Sequence, residues 1–133
     1  MEYRELVNQA IIASENAYCR MSNFKVGAAL LADSGRIYLG CNIENSSYSP
    51  TNCAERTAFF KAISEGERDF EAIAIVGGMN GDFSEYCAPC GVCRQVMNEF
   101  CNGDFKIILG KKDCTYIEYS LRELFPQGFV LDI

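Results

Sequence analysis

Two short segments constrain this chain more than anything else in it: Cys53-Ala54-Glu55 and Pro89-Cys90-Gly91-Val92-Cys93. Three thiols and a carboxylate are what a catalytic zinc site needs. Three protein ligands hold the metal, a fourth position takes water, and a nearby acid-base group moves protons. Cys90 and Cys93 are three apart, so in a first helical turn both sulfurs face one point. Cys53 has to reach that point from a different helix. Two parallel crossover helices with neighbouring N-termini would bring it there. The sequence contains no histidine. A metal site is therefore built on sulfur or oxygen, and the expected proton carrier is a carboxylate.

The rest of the chain reads in a way that supplies such helices. Leu6, Ala10, Ala13 and Ala17 recur at helical spacing, predicting a helix from Met1 to about Arg20. Phe24 to Leu31 and Arg36 to Gly40 read as strands around the turn Asp33-Ser34-Gly35, a hairpin. A loop rich in Asn, Ser and Pro runs from Asn42 to Asn52. Helices follow from Cys53 to about Glu65, ending at Gly66, and from Cys90 to about Phe100. Glu71 to Val76 and Phe105 to Leu109 read as strands, with a loop from Gly77 to Ala88. Ser120 to Phe125 reads as a short helix opened by a Ser120–Glu123 capping box. The order α-ββ-α-β-α-β-α predicts an α/β sheet, partly antiparallel, with helices on its faces. At 133 residues without repeats or linkers, the chain reads as one domain, 1–133.

Charge narrows the possible partners. A net charge of −6, with only Lys111 and Lys112 adjacent among the basic residues, disfavours a nucleic acid polymer, whose binders present basic stripes. No apolar run approaches the roughly 20 residues of a membrane span. The polar, amphipathic start is not a signal peptide. These features point to a reducing, cytoplasmic compartment, where the eight cysteines signal metal or catalysis rather than disulfides.

Both motifs fall at expected helix starts, where partial positive charge and free N–H groups favour thiolate. Three thiolates leave a bound Zn²⁺ electron-rich and a weak Lewis acid. Arg56, beside the motif and always protonated, can donate to the thiolates and restore electrophilicity. Other readings stand beside this one. Cys90 and Cys93 could form a redox pair, or half of a closed structural zinc site completed by Cys87, Cys41 or Cys101. Asn52 and Glu55 have capping-box spacing, which would turn Glu55 back toward the backbone. Cys19, Cys101 and Cys114 are most simply small core residues.

A non-ligand glutamate ahead of P-C-x-x-C is the signature of the zinc nucleobase deaminases. The chain resembles the small, homotetrameric cytidine deaminases of that group. The resemblance rests on Phe24-Lys25-Val26-Gly27-Ala28-Ala29-Leu30, Gly40-Cys41-Asn42-Ile43-Glu44-Asn45, Cys53-Ala54-Glu55-Arg56-Thr57-Ala58, Pro89-Cys90-Gly91-Val92-Cys93-Arg94-Gln95-Val96 and Glu123-Leu124-Phe125-Pro126. These blocks span nearly the full length in the family's order. The resemblance implies a three-layer α/β/α fold with a five-stranded mixed sheet. It implies hydrolytic deamination of cytidine and 2′-deoxycytidine in pyrimidine salvage, with one Zn²⁺ per chain held by Cys53, Cys90 and Cys93. Glu55 would shuttle protons to N3 and to the leaving ammonia.

The same resemblance assigns substrate contacts. Phe24 would pack on the base, the backbone N–H of Ala54 would meet the base carbonyl, and Asn42 and Glu44 would bind ribose hydroxyls. A carboxylate there would repel a phosphate, favouring nucleosides over nucleotides. Taken alone, Asn42 and Glu44 read as loop polarity and Phe24 as core. In a homotetramer with shared sites, Phe129 would lend an aromatic lid to a neighbouring chain, and Tyr48 would lie at an interface. Two features depart from the family. Ala88 stands where serine is usual, and the segment before the motif ends in Glu85-Tyr86-Cys87, adding a spare thiol. A deaminase of an analogue such as blasticidin S, a non-catalytic zinc domain, and a polynucleotide deaminase are the competing functions. Asn42-x-Glu44 argues against the first, and acidity against the last.

Overall fold

The computed structural model describes residues 2–133. Its elements are α1 (Arg4–Ser14), β1 (Phe24–Ala32), β2 (Ile37–Cys41), α2 (Ala54–Ser64), β3 (Phe70–Met79), α3 (Gly91–Phe100), β4 (Lys106–Gly110), β5 (Tyr116–Ser120) and α4 (Leu121–Leu124). One five-stranded sheet runs in the order β2-β1-β3-β4-β5. Only β3 and β4 are parallel, with Ile73 opposite Ile107 and Ile75 opposite Leu109. The other neighbours pair antiparallel. The mixed α/β sheet expected from the sequence is thus the observed one.

Alternation along the strands builds two cores. Ala28, Leu30, Ile73, Ile75, Ile107 and Leu109 face α2 and α3, around Phe59 and Met97. Ala29, Ala72, Ala74, Val76 and Ile108 face α1 through Leu6, Val7 and Ala10. This period-two division is why the central strands read as continuous apolar runs. Phe59 anchors the first core, edge-on to Phe70 with ring centroids 5.2 Å apart, an arrangement the aromatic quadrupole favours. Burying such a side chain stabilises by about 1.5–3 kcal/mol.

Two glycines set α2 and α1 against the sheet. Gly40 on β2 lies so close to the helix that a Cβ there would sit 2.3 Å from Ala54 O and 2.6 Å from Ala58 N. Only glycine permits that approach. Gly27 does the same for α1, with a built Cβ 2.0 Å from Ala10 O.

The observed elements differ from the expected ones in four places, one being that β3 runs on to Met79, into the loop expected from Gly77. Helix α1 stops at Ser14 rather than Arg20, and Met1 lies outside the described residues. The chain leaves the helix through i→i−3 hydrogen bonds, Glu15 N to Ile12 O at 3.2 Å and Ala17 N to Ser14 O at 3.1 Å. Tyr18 then pairs with Ile43 as an isolated bridge. Strand β5, invisible to the strand-by-strand reading, occupies the sheet edge. Finally, α2 and α3 begin one residue after Cys53 and Cys90, which act as their N-caps. Among the described residues, no helix is long and apolar enough to cross a membrane.

Candidate active site

The two cysteine motifs meet because α2 and α3 cover the same face of the sheet with their N-termini adjacent. Cys53 holds extended backbone, φ −75° and ψ 155°, just before α2. Cys90 does likewise before α3, and its Sγ accepts the Cys93 N–H at 3.5 Å. The Sγ atoms of Cys53, Cys90 and Cys93 lie within 4.8 Å of one another. Cys53 and Cys90 are 3.9 Å apart. Sulfurs held tetrahedrally at the usual Zn–S length would be about 3.8 Å apart. The three thiols therefore fit a zinc ion in spacing and in chemistry.

The surroundings favour thiolate. Arg56 Nη2 donates to Cys53 Sγ at 3.1 Å. Hydrogen bonding from the Cys93 thiol, with Arg56 adding its bond and charge, pulls the Cys53 thiol down to about 5. Cys93, the donor of that pair, is pushed upward by its bond to Cys53 and by burial. The bonds and charges of Cys53 and Cys93 in turn raise Arg56. Arg56 Nε is buried with no partner of its own. The guanidinium is thus directed at the Cys53 thiol.

Glu55 lies in the first turn of α2 and is only 5% exposed. Burial pushes its carboxyl up to about 7. The capping-box alternative does not form, because Cys53 caps α2 and no side chain bonds the cap. The Asn52 amide instead donates to Thr57 Oγ1 at 3.2 Å, and the Asn52 backbone pairs with Ile43. That pairing ties the loop down and leaves Glu55 facing a cavity.

The cavity holds about 290 Å³, close to the lower end of the range for small-molecule sites. Phe24, Asn42, Glu44, Cys53, Ala54, Glu55 and Cys90 all line it. Asn42 does more than line the wall. Its Nδ2 donates to Phe24 O at 2.8 Å and its Oδ1 accepts from Val26 N at 3.0 Å, pinning β1 where it enters the site. Sequence reasoning missed Ser22, Val26, Thr51 and Asn52 on the same wall.

Two expected residues are elsewhere. Tyr48 is 73% exposed and lines a neighbouring hollow with Met21 and Thr51. Phe129 is 66% exposed, its carbonyl held by Gln95 Nε2 at 2.9 Å and Asn98 Nδ2 at 3.1 Å. Neither lines the cavity of its own chain.

A closed four-thiolate site is not built. The Cys53, Cys90, Cys93 trio is the metal-competent cluster among the described residues, and Cys87, Cys41 and Cys101 lie outside it. Cys87 lines the cavity, and burial pushes its thiol up to about 11. It packs into the space left by Gly77, where a Cβ would stand 2.6 Å from its Sγ.

Residues 1–109 match the model of the cytidine and deoxycytidylate deaminase zinc-binding region. The chain belongs to that family. Cytidine deaminases are also its relatives by sequence. That of Sporosarcina psychrophila is 50% identical over 97% of this chain and 92% of its own length. That of Halalkalibacterium halodurans is 48% identical over 99% of this chain and 97% of its own. The crystal structure of the cytidine deaminase from Burkholderia pseudomallei superposes with a TM-score of 0.88 at 43% identity, over 97% of this chain and all of that one. Within this deaminase-family chain, the zinc-binding region takes in the whole thiol cluster and both helices that carry it. It leaves β5, α4 and the tail with Phe129 outside.

Proposed function

We propose that the chain hydrolyses cytidine and 2′-deoxycytidine to uridine and 2′-deoxyuridine with release of ammonia, as a pyrimidine-salvage enzyme of the cytoplasm. The observation that carries this reading is a single cavity lined by Cys53 and Cys90 of the three-thiol cluster, with the buried Glu55 on the same wall. Cys53, Cys90 and Cys93 would hold one Zn²⁺, and Arg56 would withdraw charge from the Cys53 thiolate. Bound there, zinc supplies a Lewis acid that makes water a nucleophile at neutral pH.

The protein's own groups do the rest. Glu55 takes a proton from the attacking water and gives it to N3 of the ring, then takes the remaining hydroxyl proton and gives it to the departing amine. Its burial excludes bulk water from that transfer. Phe24 presents its ring to the base, and the Ala54 N–H meets the base carbonyl at the positive end of α2. Glu44 and the free N–H of Asn42 face the sugar.

Residues 1–133 form one domain in this reading, and four such chains assemble with shared sites. The exposed Phe129 and Tyr48, and the apolar tail Val130-Leu131, support that assembly. They are the side chains a neighbouring protomer would cover.

The test is to load the protein with zinc and follow the loss of cytosine absorbance on adding cytidine. Turnover with one zinc per chain is expected. Stoichiometric zinc without turnover on any cytosine nucleoside would favour a non-catalytic zinc domain. Turnover confined to blasticidin S would favour the analogue deaminase.

A further inference from the structure

The turn ahead of β1 anchors two walls of the cavity at once. Asn23 takes a left-handed φ of 57°, and its N–H closes onto Cys19 O at 2.7 Å. Residues 19–23 therefore form a tight turn that ends at Phe24. Within it, the consecutive N–H groups of Met21 and Ser22 both donate to Glu44 Oε1, at 3.1 and 3.2 Å. Successive amides converging on one anion make a nest for negative charge. The Ser22 hydroxyl donates to the other oxygen, Glu44 Oε2, at 2.5 Å. The same hydroxyl oxygen accepts the Phe24 N–H at 3.0 Å.

One hydroxyl thus joins the acid and the aromatic ring that line the cavity together. The bonds to the carboxylate are charge-assisted and correspondingly strong. The Ser22 hydroxyl, with the two amides, holds the Glu44 carboxyl below the usual carboxylate range. The acceptor count is informative. A carboxylate offers about four lone-pair sites. Two on Oε1 and one on Oε2 are taken by the turn. A single acceptor on Oε2 is left for one incoming hydroxyl. A glutamate on a loop would otherwise sample several rotamers and lose that selectivity.

We propose that Ser22 is a positioning residue for substrate recognition: its hydroxyl fixes the Glu44 carboxylate so that one Glu44 oxygen receives one sugar hydroxyl. The inference rests on the reading that Glu44 faces the sugar of a nucleoside.

Steady-state constants for cytidine and for 2′,3′-dideoxycytidine, which lacks both ring hydroxyls, test it in the zinc-loaded wild type, S22A, S22T and E44A. Where the dideoxy compound turns over slowly, its competitive inhibition constant replaces KM. S22A is expected to raise KM for cytidine about tenfold, the scale of one charge-assisted hydrogen bond. Its kcat and its affinity for the dideoxy compound should stay near wild type, and S22T should restore KM. Wild-type discrimination in S22A, with discrimination lost in E44A, would overturn the role of Ser22 and leave the sugar contact standing. Full discrimination in E44A would overturn the sugar contact, and the inference with it. Equal losses on both compounds in S22A and S22T, with a lowered melting temperature, would mark a merely structural serine and also overturn the inference.

Discussion

At one end of the cavity, Cys53, Cys90, Cys93 and Glu55 stand on or beside the first turns of α2 and α3, backed by the Phe59 core. At the other end, Glu44 sits on the loop after β2, held by amides and a hydroxyl from the turn at 21–22. The first end is fixed by packed secondary structure, and Glu55 there is almost fully buried. The second is fixed by local hydrogen bonds and opens toward Tyr48 and solvent. The contrast separates two tasks. Groups that hold a metal and move protons need rigid geometry and excluded water. Groups that sort substrates can sit on a loop, provided something pre-orders them.

That contrast can be broken most severely at the thiols. Cys90→Ser should drop bound zinc well below one per chain and cut kcat/KM by at least about a thousandfold, since even outer partners of a metal site are worth ten- to a hundredfold. Metal analysis beside the cytidine assay checks it. Arg56→Gln comes next. It should lower kcat about ten- to a hundredfold with zinc retained and a small change in melting temperature. Unchanged turnover would remove Arg56 from the account.

The wall between the two ends gives a smaller effect. Gly77→Ala puts a Cβ 2.6 Å from Cys87 Sγ and 3.2 Å from Phe24 Cε1. Overpacking of this kind costs about 1–3 kcal/mol. Adding Cys87→Ala should recover part of it, as read by thermal melts of both single variants and the double. The weakest effect belongs to the Glu44 end. Its carboxyl is held low by Ser22, so its stabilising share is present above the unfolded-state value of about 4.3. That share is lost as pH falls through the lower folded value. The melting-temperature gap between wild type and Glu44→Gln should therefore be largest near neutrality and close on acidification.

How much was legible follows the same division. The two cysteine motifs, the arginine beside the first and the Ser120–Glu123 cap were readable, because each is a short-range pattern tied to a helix start. The capping box is present in full. The mixed sheet followed from apolar runs long enough to be buried on both faces. Strand β5 was missed because Tyr116-Ile117-Glu118-Tyr119-Ser120 is a half-buried edge without clean alternation. The overlong α1 came from Ala17, which continues the helical spacing although the chain has already turned. The capping alternative for Glu55 stayed open because spacing alone does not show that Cys53, rather than Asn52, caps α2. Ser22 was missed because its partner Glu44 lies 22 residues further along the chain, and the two meet only in the fold.

The most direct test of the central claim is Glu55→Gln, assayed for zinc content and cytidine deamination on the same sample. One zinc per chain, with turnover reduced at least about a thousandfold, within the range for a lost general acid-base, is the predicted result. Near-wild-type turnover with zinc in place would contradict the assignment of proton transfer to Glu55, and with it the division between the two ends of the cavity.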